Sequence, residues 1–256
     1  MTRLLRLVGI ATRRSFILGL TWRGFIVTLV IGQCVPPILG LTVWSAVLPG
    51  TENVTAYYLA LLLVQLMTVS YEHHTLSNGI YAGTLSHELL KPQPPVLGTI
   101  GENCALRIWH VLIGLPLLAV LWLVTGVTFA IEPLLLAVPA LLLAAVLRFL
   151  FTYTLALSAF WTQQAHGAVG FGETLIFLIG GSAAPIALMP ERFQAAGEIL
   201  PFRAMLALPA EIATGSLDRQ AMLIGYAWQL AWLVAFAAVA VVVWRHGIRH
   251  FTAVGG

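Results

Sequence analysis

The chain has 256 residues and a formal net charge of +3; 59% of its residues are hydrophobic, 9% are charged, and the mean hydropathy is +0.93. A soluble domain carries about 25% charged residues, so this chain has too few charges to give a globule of its size a polar surface. The composition excludes an ordinary soluble protein and predicts an integral membrane protein that is solvated mainly by lipid.

Residues 1–24 form a basic, amphipathic segment. Apolar side chains recur at helical spacing through Leu4, Leu7 and Ile10, and arginines occupy the other faces. This pattern predicts a helix that lies along the membrane surface. A long apolar run follows without a convincing cleavage site, which favours a retained segment over a signal peptide.

Six later segments are apolar enough to span a bilayer, for which about 20 residues are needed. The second is short, and the fourth is long and contains a charged residue. The fold class is therefore predicted to be all-α, with six transmembrane helices in a single transmembrane domain over residues 1–256. The six segments are 25–48, 56–71, 108–129, 133–160, 169–189 and 223–244.

The charges divide unevenly between the two sides that six spans create. The N-terminal segment, the loop 72–107 and the C-terminal tail share one side, which holds nine basic and three acidic residues, a net charge of +6. The other side holds three basic and six acidic residues, a net charge of −3. Because basic residues concentrate on the cytoplasmic side, both termini are predicted to be cytoplasmic.

The loop 72–107 has signs of structure of its own. A short helix is predicted at 83–90, and Pro92 stops it. The residues that follow lead into the third span. A structured, proline-fixed loop offers a surface on which another protein can dock, and a plain connector is the alternative interpretation.

Neither a metal site nor a catalytic centre is predicted. His73, His74 and His87 lie near Glu72 and Glu88, but their spacing matches no zinc-binding motif, so interfacial polar residues are the expected role. A catalytic serine–histidine pair is not expected either, because the candidate serine and histidines lie toward opposite ends of their spans. We therefore expect the chain to be no enzyme, and to bind no metal or cofactor itself.

Two charged residues fall inside predicted spans, Arg148 in the fourth and Glu173 in the fifth. A charge in a span is costly and usually faces a partner or a water-filled cavity. Because the fifth span is predicted to begin at residue 169, Glu173 lies near its start, and antiparallel packing places the two charges at different depths. A direct pair and a contact with a partner subunit stay open as alternatives.

The segment 185–215, between the fifth and sixth spans, is too interrupted by proline for one helix and too apolar for a solvated loop. A short amphipathic helix is predicted at 191–200, and a second at 201–215 with a bend at Pro209. Irregular backbone is tolerated at membrane depth only where protein buries it or it lines a cavity. The segment is therefore predicted to be a re-entrant helical hairpin that caps the outer end of a polar path.

Three stretches follow a known pattern in this order: YAGTLSHELLKPQPP at 81–95, FW at 160–161, and APIALMPERFQAAGEILPFRAMLALPAEIATG at 184–215. The first is similar to a cytoplasmic G-x-L-x-x-x-L-L-x-P segment, and the third to an outer segment with prolines at matching spacing. Together they resemble the membrane subunit of an ABC-2 type exporter, the type V fold, over nearly the whole chain. The resemblance is strongest to a branch in which two related permeases are often paired with one ATPase.

The resemblance implies a bacterial cytoplasmic (inner) membrane protein that pairs with a second permease, identical or paralogous, and docks on a cytoplasmic ATPase dimer, which binds ATP and Mg²⁺. Membrane lipid is the other implied partner, and no nucleic acid is implied. The implied ATPase-coupling residues are Arg13, Arg14, Gly83, Leu85, Glu88, Leu89, Leu90, Lys91 and Pro92. The implied extracellular gate contains Pro185, Pro190, Pro201, Phe202 and Pro209.

Three functions stay open at this point. The first is the permease of an ATP-driven exporter that moves a hydrophobic or amphiphilic substrate (drug, lipid or peptide) outward. The second is a scaffold or signalling subunit with the same fold and no transport. The third is a secondary carrier, which is disfavoured because Glu173 is the one intramembrane acid that could bind a coupling ion.

Overall fold

A computed structural model describes residues 2–48, 52–162 and 165–251, and within these ranges the regular structure is helical throughout. A π-helical turn, His73–Ser77, and two 3₁₀ turns, Leu157–Phe160 and Ile186–Leu188, connect some of the α-helices. In chain order the described α-helices are α1 (Thr2–Thr21), α2 (Arg23–Val47), α3 (Glu52–Thr68), α4 (Asn78–Tyr81), α5 (Leu85–Leu89), α6 (Val96–Thr125), α7 (Ile131–Ala156), α8 (Ala165–Ile179), α9 (Glu191–Ile199), α10 (Pro201–Met205), α11 (Ala207–Ala213) and α12 (Arg219–His250).

Four helices are long and apolar enough to cross a bilayer: α2, α6, α7 with its 3₁₀ extension, and α12. The other two predicted spans correspond to α3 and α8, which are shorter apolar helices of 17 and 15 residues. At 1.5 Å per residue they rise about 25 and 22 Å, less than the hydrocarbon thickness of about 30 Å. The prediction of an all-helical, multi-pass membrane protein is confirmed with four candidate spans.

Glycines end the fifth apolar helix, whereas the bend predicted at Pro209 is wrong. Helix α8 covers only the first part of the apolar segment predicted to reach residue 189, because it ends at Ile179 and Gly181 follows with a left-handed φ of +97°. The outer segment breaks at Leu206, between α10 and α11, and not at Pro209. Pro209 lies in the first turn of α11, where its missing N–H removes no helical hydrogen bond.

The largest cluster of buried apolar residues in the described structure lies where α10 and α11 insert between the longer helices. Met205, Leu206 and Leu208 are buried there and pack in the same cluster as residues of α3 and α7. Gln229 of α12 donates to the carbonyls of Ala140 and Ala204, at 3.0 and 2.9 Å, and so links α7 and α10. These short helices are therefore an internal part of the bundle and not a surface loop.

Helix α1 packs along α6 at one end of the bundle. Trp109 stacks on Phe16 with ring centroids 4.6 Å apart and donates to the Phe16 carbonyl at 3.3 Å. Gly101 permits close approach, since a Cβ there would collide with Ala11. Leu4 and Ile10 of the predicted apolar stripe are 50% and 57% exposed, and the apolar side chains of Leu5 and Ile17, outside that stripe, are exposed as well.

Candidate functional site

An ion pair joins α7 to α8 inside the bundle. Arg148 Nη2 lies 2.6 Å from Glu173 Oε2; the Arg148 side chain is 1% exposed and the Glu173 side chain is 30% exposed. The direct pair that the sequence leaves open is present, and the predicted difference in depth is wrong. Helix α8 begins at Ala165, four residues earlier than predicted. Glu173 consequently lies eight residues after the start of α8, and Arg148 eight residues before the end of α7.

Neutral side chains from neighbouring helices extend this pair into a hydrogen-bonded chain. Arg148 Nη1 donates to Gln65 Oε1 at 3.3 Å and to Thr68 Oγ1 at 3.2 Å. Gln65 donates to Gln33 Oε1 at 2.5 Å, and Gln33 donates to the Tyr71 hydroxyl at 2.9 Å. We call this group the Arg148 cluster: Gln33, Gln65, Thr68, Tyr71, Arg148 and Glu173.

A cavity of about 280 Å³, the Arg148 cavity, opens beside this cluster between α2 and α8. Gln33, Gln65 and Thr174 contribute polar groups to its wall. Arg148 Nε and Glu173 Oε1 are buried and have no hydrogen-bond partner among the residues that the structure describes. Buried polar atoms are almost always paired in proteins, so these two atoms are unsatisfied hydrogen-bonding groups next to the cavity, although neighbouring atoms cover both of them in this arrangement of the side chains.

A second polar cluster follows the end of α3. Glu72 is 1% exposed, and its carboxylate accepts from Asn103 Nδ2 at 2.8 Å and from Thr152 Oγ1 at 2.6 Å. Burial raises the pKa of Glu72 to about 7, although the hydrogen bond from Thr152 acts in the opposite direction. Arg107 donates to the carbonyls of Val69 and Ala145 at 3.0 and 2.7 Å. The chain that enters the 72–95 segment is thus bonded to both α6 and α7.

The α1 groove, a cavity of about 410 Å³, lies between α1 and the 72–95 segment. Four of the predicted coupling residues line it: Arg14, Leu85, Glu88 and Lys91. Glu88 and Lys91 form an exposed ion pair of 2.5 Å. The groove therefore combines charged walls with an apolar floor that includes the buried Leu85.

The other predicted coupling residues lie outside the lining of this groove. Gly83 has a φ of +70° at the turn before α5, a conformation that glycine adopts without strain. Leu89 is 39% exposed and Leu90 is 85% exposed at the end of α5. Pro92, which follows α5, and Arg13, on α1, are exposed. The two leucines form an apolar projection next to the charged groove.

The α9 cavity, of about 460 Å³, lies at the other end of α3, beside α9. An ion pair borders it, with Arg203 Nη2 2.7 Å from Glu211 Oε2 and Arg203 Nε 3.0 Å from the same oxygen. Tyr57, which also lines the cavity, donates to the carbonyl of Gly181 at 2.9 Å. These contacts tie the turn after α8 to α3.

The five predicted gate residues fall into three environments around this cavity. Pro185 lines it. Pro190 is exposed and immediately precedes α9. Pro201, Phe202 and Pro209 are buried in the core below, where Phe202 makes an edge contact with Phe151 at 5.8 Å. The prolines therefore shape the short helices, while charged side chains face the cavity.

A family model described as ABC-2 family transporter protein matches residues 23–255. The chain belongs to the ABC-2 transporter family. It is a membrane permease of that family, and the resemblance drawn from the sequence is confirmed. No curated protein and no solved structure matches the chain. The match to this ABC-2 permease begins at the first residue of α2, so α1 precedes it.

Two polar features of the ABC-2 permease were not predicted from the sequence. The Glu72 cluster depends on Asn103 and Thr152, which look like isolated polar residues in apolar helices. The pair of Arg203 and Glu211 comes from two helices that the break at Leu206 brings together. The available signal was the presence of several hydrogen-bonding side chains in segments that lipid would otherwise solvate.

Proposed function

We propose that this ABC-2 permease is the membrane subunit of an ATP-driven exporter that moves a hydrophobic or amphiphilic substrate outward. A separate cytoplasmic ATPase dimer binds ATP and Mg²⁺ and performs the hydrolysis, and this chain supplies no ATPase chemistry. The permease works as a dimer with a second permease in the bacterial inner membrane, surrounded by lipid. The single observation that carries the proposal is the physical connection between the α1 groove and the Arg148 cavity.

The connection consists of packed and hydrogen-bonded residues. Glu102 lines the α1 groove, and the adjacent Asn103 donates to Glu72. Glu72 accepts from Thr152, which lies one turn after Arg148 on α7. A displacement of the 72–95 segment is therefore transmitted to the ion pair. Coupling of this kind needs two packings of the helices that ATPase closure favours differently.

In this proposal all six apolar helices cross the bilayer and both termini are cytoplasmic. Helices α10 and α11 re-enter the membrane from the outer side, and the α9 cavity is the extracellular mouth. The burial of α10 and α11 supports this arrangement, because backbone at membrane depth requires protein around it. On their own, helices α3 and α8 are too short to cross the whole bilayer. They are compatible with this arrangement because the re-entrant helices and the polar cavities surround their ends, where lipid would otherwise be.

The assembly is tested by isolating the affinity-tagged full chain from its native membranes and identifying the subunits that accompany it. We expect an ABC ATPase in stoichiometric amount. After reconstitution in liposomes, ATP hydrolysis should be stimulated by the transported amphiphile. Absence of an ATPase subunit would contradict the exporter, and an ATPase complex that moves no amphiphile would identify a non-transporting subunit.

The topology makes a separate prediction. Cysteine replaces Ala195, which is exposed on α9, in a chain whose two native cysteines, Cys34 and Cys104, are changed to alanine. We expect a membrane-impermeant maleimide to label Ala195→Cys in intact cells. The matched control, Leu90→Cys, should be labelled only after the membrane is opened. The reverse pattern would invert the proposed orientation.

A further inference from the structure

The Arg148 cavity has the properties of a binding site for one particular kind of head group. We propose that it binds the zwitterionic head of an amphiphile, such as a phosphoethanolamine group, while the hydrocarbon chain stays in the bilayer. This names the substrate class of the exporter, and its role in transport rests on the proposed function. The binding itself does not depend on an ATPase.

The polar atoms of the cavity complement both charges of such a head. Arg148 is 1% exposed, and its unpartnered Nε can donate to an anionic oxygen once the guanidinium turns toward the cavity that it lines. The unpartnered Oε1 of Glu173 can accept from an ammonium group. Because Nη2 and Oε2 already pair with each other at 2.6 Å, the two free atoms lie on neighbouring groups. A donor and an acceptor held this closely match a ligand whose own charges are a few atoms apart.

The charge balance of the wall selects against ions of a single sign. Among the described residues that line the cavity, Arg148 and Glu173 are the ionisable ones, and their charges cancel. A net anion would compete with Glu173 for the guanidinium, and a net cation would compete with Arg148 for the carboxylate. Either would leave one charge of the pair without its counter-ion inside the helix bundle, which is costly. A zwitterion satisfies both groups without separating them completely.

Size and position favour an amphiphile over a free solute. Cavities that enclose drug-sized ligands measure about 300–1,000 Å³, so a cavity of about 280 Å³ holds a head group and not a whole lipid. Its mouth lies between α2 and α8 and is flanked by Gly32 and Thr174, both exposed. Pro36 and Phe177 supply an apolar edge beside the polar interior. A hydrocarbon chain can therefore extend from the mouth into lipid.

Two residues that line the cavity lie in the segment proposed to form the outer gate or just before it. Ser182 follows the end of α8, and Leu206 is the break between α10 and α11. A rearrangement of this break would open the cavity toward the α9 cavity. The head group would then have a route past the short helices while its chain remains in the bilayer.

Binding is tested on the purified full chain in a non-ionic maltoside detergent, without ATPase, by native mass spectrometry. The probes are lysophosphatidylethanolamine, the anionic lysophosphatidylglycerol and the cationic dodecyltrimethylammonium. We expect the zwitterionic probe to bind at least about 10-fold more tightly than either ion. The variant Arg148→Gln/Glu173→Gln, which removes both charges together, should lose this preference, whereas the exposed pair Glu88→Gln/Lys91→Gln should retain it.

The outcomes separate this inference from the proposed function. Equal binding of the three probes, a preference for a net ion, or an unchanged preference in the folded Arg148→Gln/Glu173→Gln variant would overturn the head-group site even if an ATPase accompanies the chain. Selective binding without an ATPase would support the site and contradict the exporter. If a diacyl lipid accompanies the purified chain and is lost in the variant, the bound head group comes from a bilayer lipid. If only added lysolipid fills the site, the ligand is a single-chain amphiphile.

Discussion

Replacing both Leu89 and Leu90 with aspartate is expected to abolish binding of the ATPase while the permease still inserts and folds. The two side chains are 39% and 85% exposed, so they contribute little to the core of the chain. Full burial of an exposed leucine side chain contributes about 1.5–3 kcal/mol, so burial of the exposed parts of Leu89 and Leu90 contributes about 2–4 kcal/mol, and its loss weakens docking by about 25- to 500-fold. Introducing two carboxylates that must lose water adds to that loss.

The measurement is the amount of ATPase that accompanies the tagged variant, together with its melting temperature in detergent. Leu188→Asp/Ile199→Asp is the matched control, because these side chains are 42% and 53% exposed at the other end of the bundle. It should retain the ATPase. Undiminished co-purification with Leu89→Asp/Leu90→Asp would rule out this surface as the docking site.

The nearby charges are expected to matter much less for docking. The Glu88–Lys91 ion pair is exposed on both sides, and such pairs contribute about 0–1 kcal/mol. Glu88→Gln/Lys91→Gln should therefore reduce ATPase binding less than about 10-fold, as measured by the same co-purification. A larger loss would show that the charged wall of the α1 groove, and not the leucine projection, carries the contact.

Features set by local sequence were predictable from the residues alone. The apolar stripe of α1, the proline that follows α5 and the proline-separated helices after α8 each depend on neighbours within a few positions, where propensity and periodicity act directly. The break at Leu206 could not be predicted this way. No glycine or proline marks it. The backbone turns there because α10 packs mainly against α8 and α12, whereas α11 packs mainly against α3 and α7.

The site was harder to predict than the fold, because its register depends on where helices begin. The apolar run suggests a start at residue 169, yet α8 begins at Ala165 and includes the polar His166 in its first turn. That shift of about one turn brings Glu173 level with Arg148. The bond between Glu72 and Asn103 likewise joins residues 31 positions apart, so only the packing of α3 against α6 reveals it.

Removing one charge of the central pair is expected to destabilise the permease strongly, and removing both should restore most of the loss. In Glu173→Gln, the guanidinium of Arg148 stays buried without its counter-ion, and loss of one partner from a buried pair costs about 3–5 kcal/mol. In Arg148→Gln, the remaining Glu173 carboxylate is 30% exposed and faces a cavity, so the cost is smaller. The order of stability should be wild type, then the double variant, then Arg148→Gln, then Glu173→Gln.

Melting temperatures followed by tryptophan fluorescence give this double-mutant cycle. At about 2–4 °C per kcal/mol for a chain of this size, Glu173→Gln should melt roughly 6–20 °C below wild type. The same cycle on Glu88 and Lys91 is the control and should show shifts below about 4 °C, because water screens that pair. Additive effects of Arg148→Gln and Glu173→Gln would mean that the two charges do not stabilise each other. Coupling in the cycle, together with loss of export in the folded double variant, would assign the pair to transport as well as to stability.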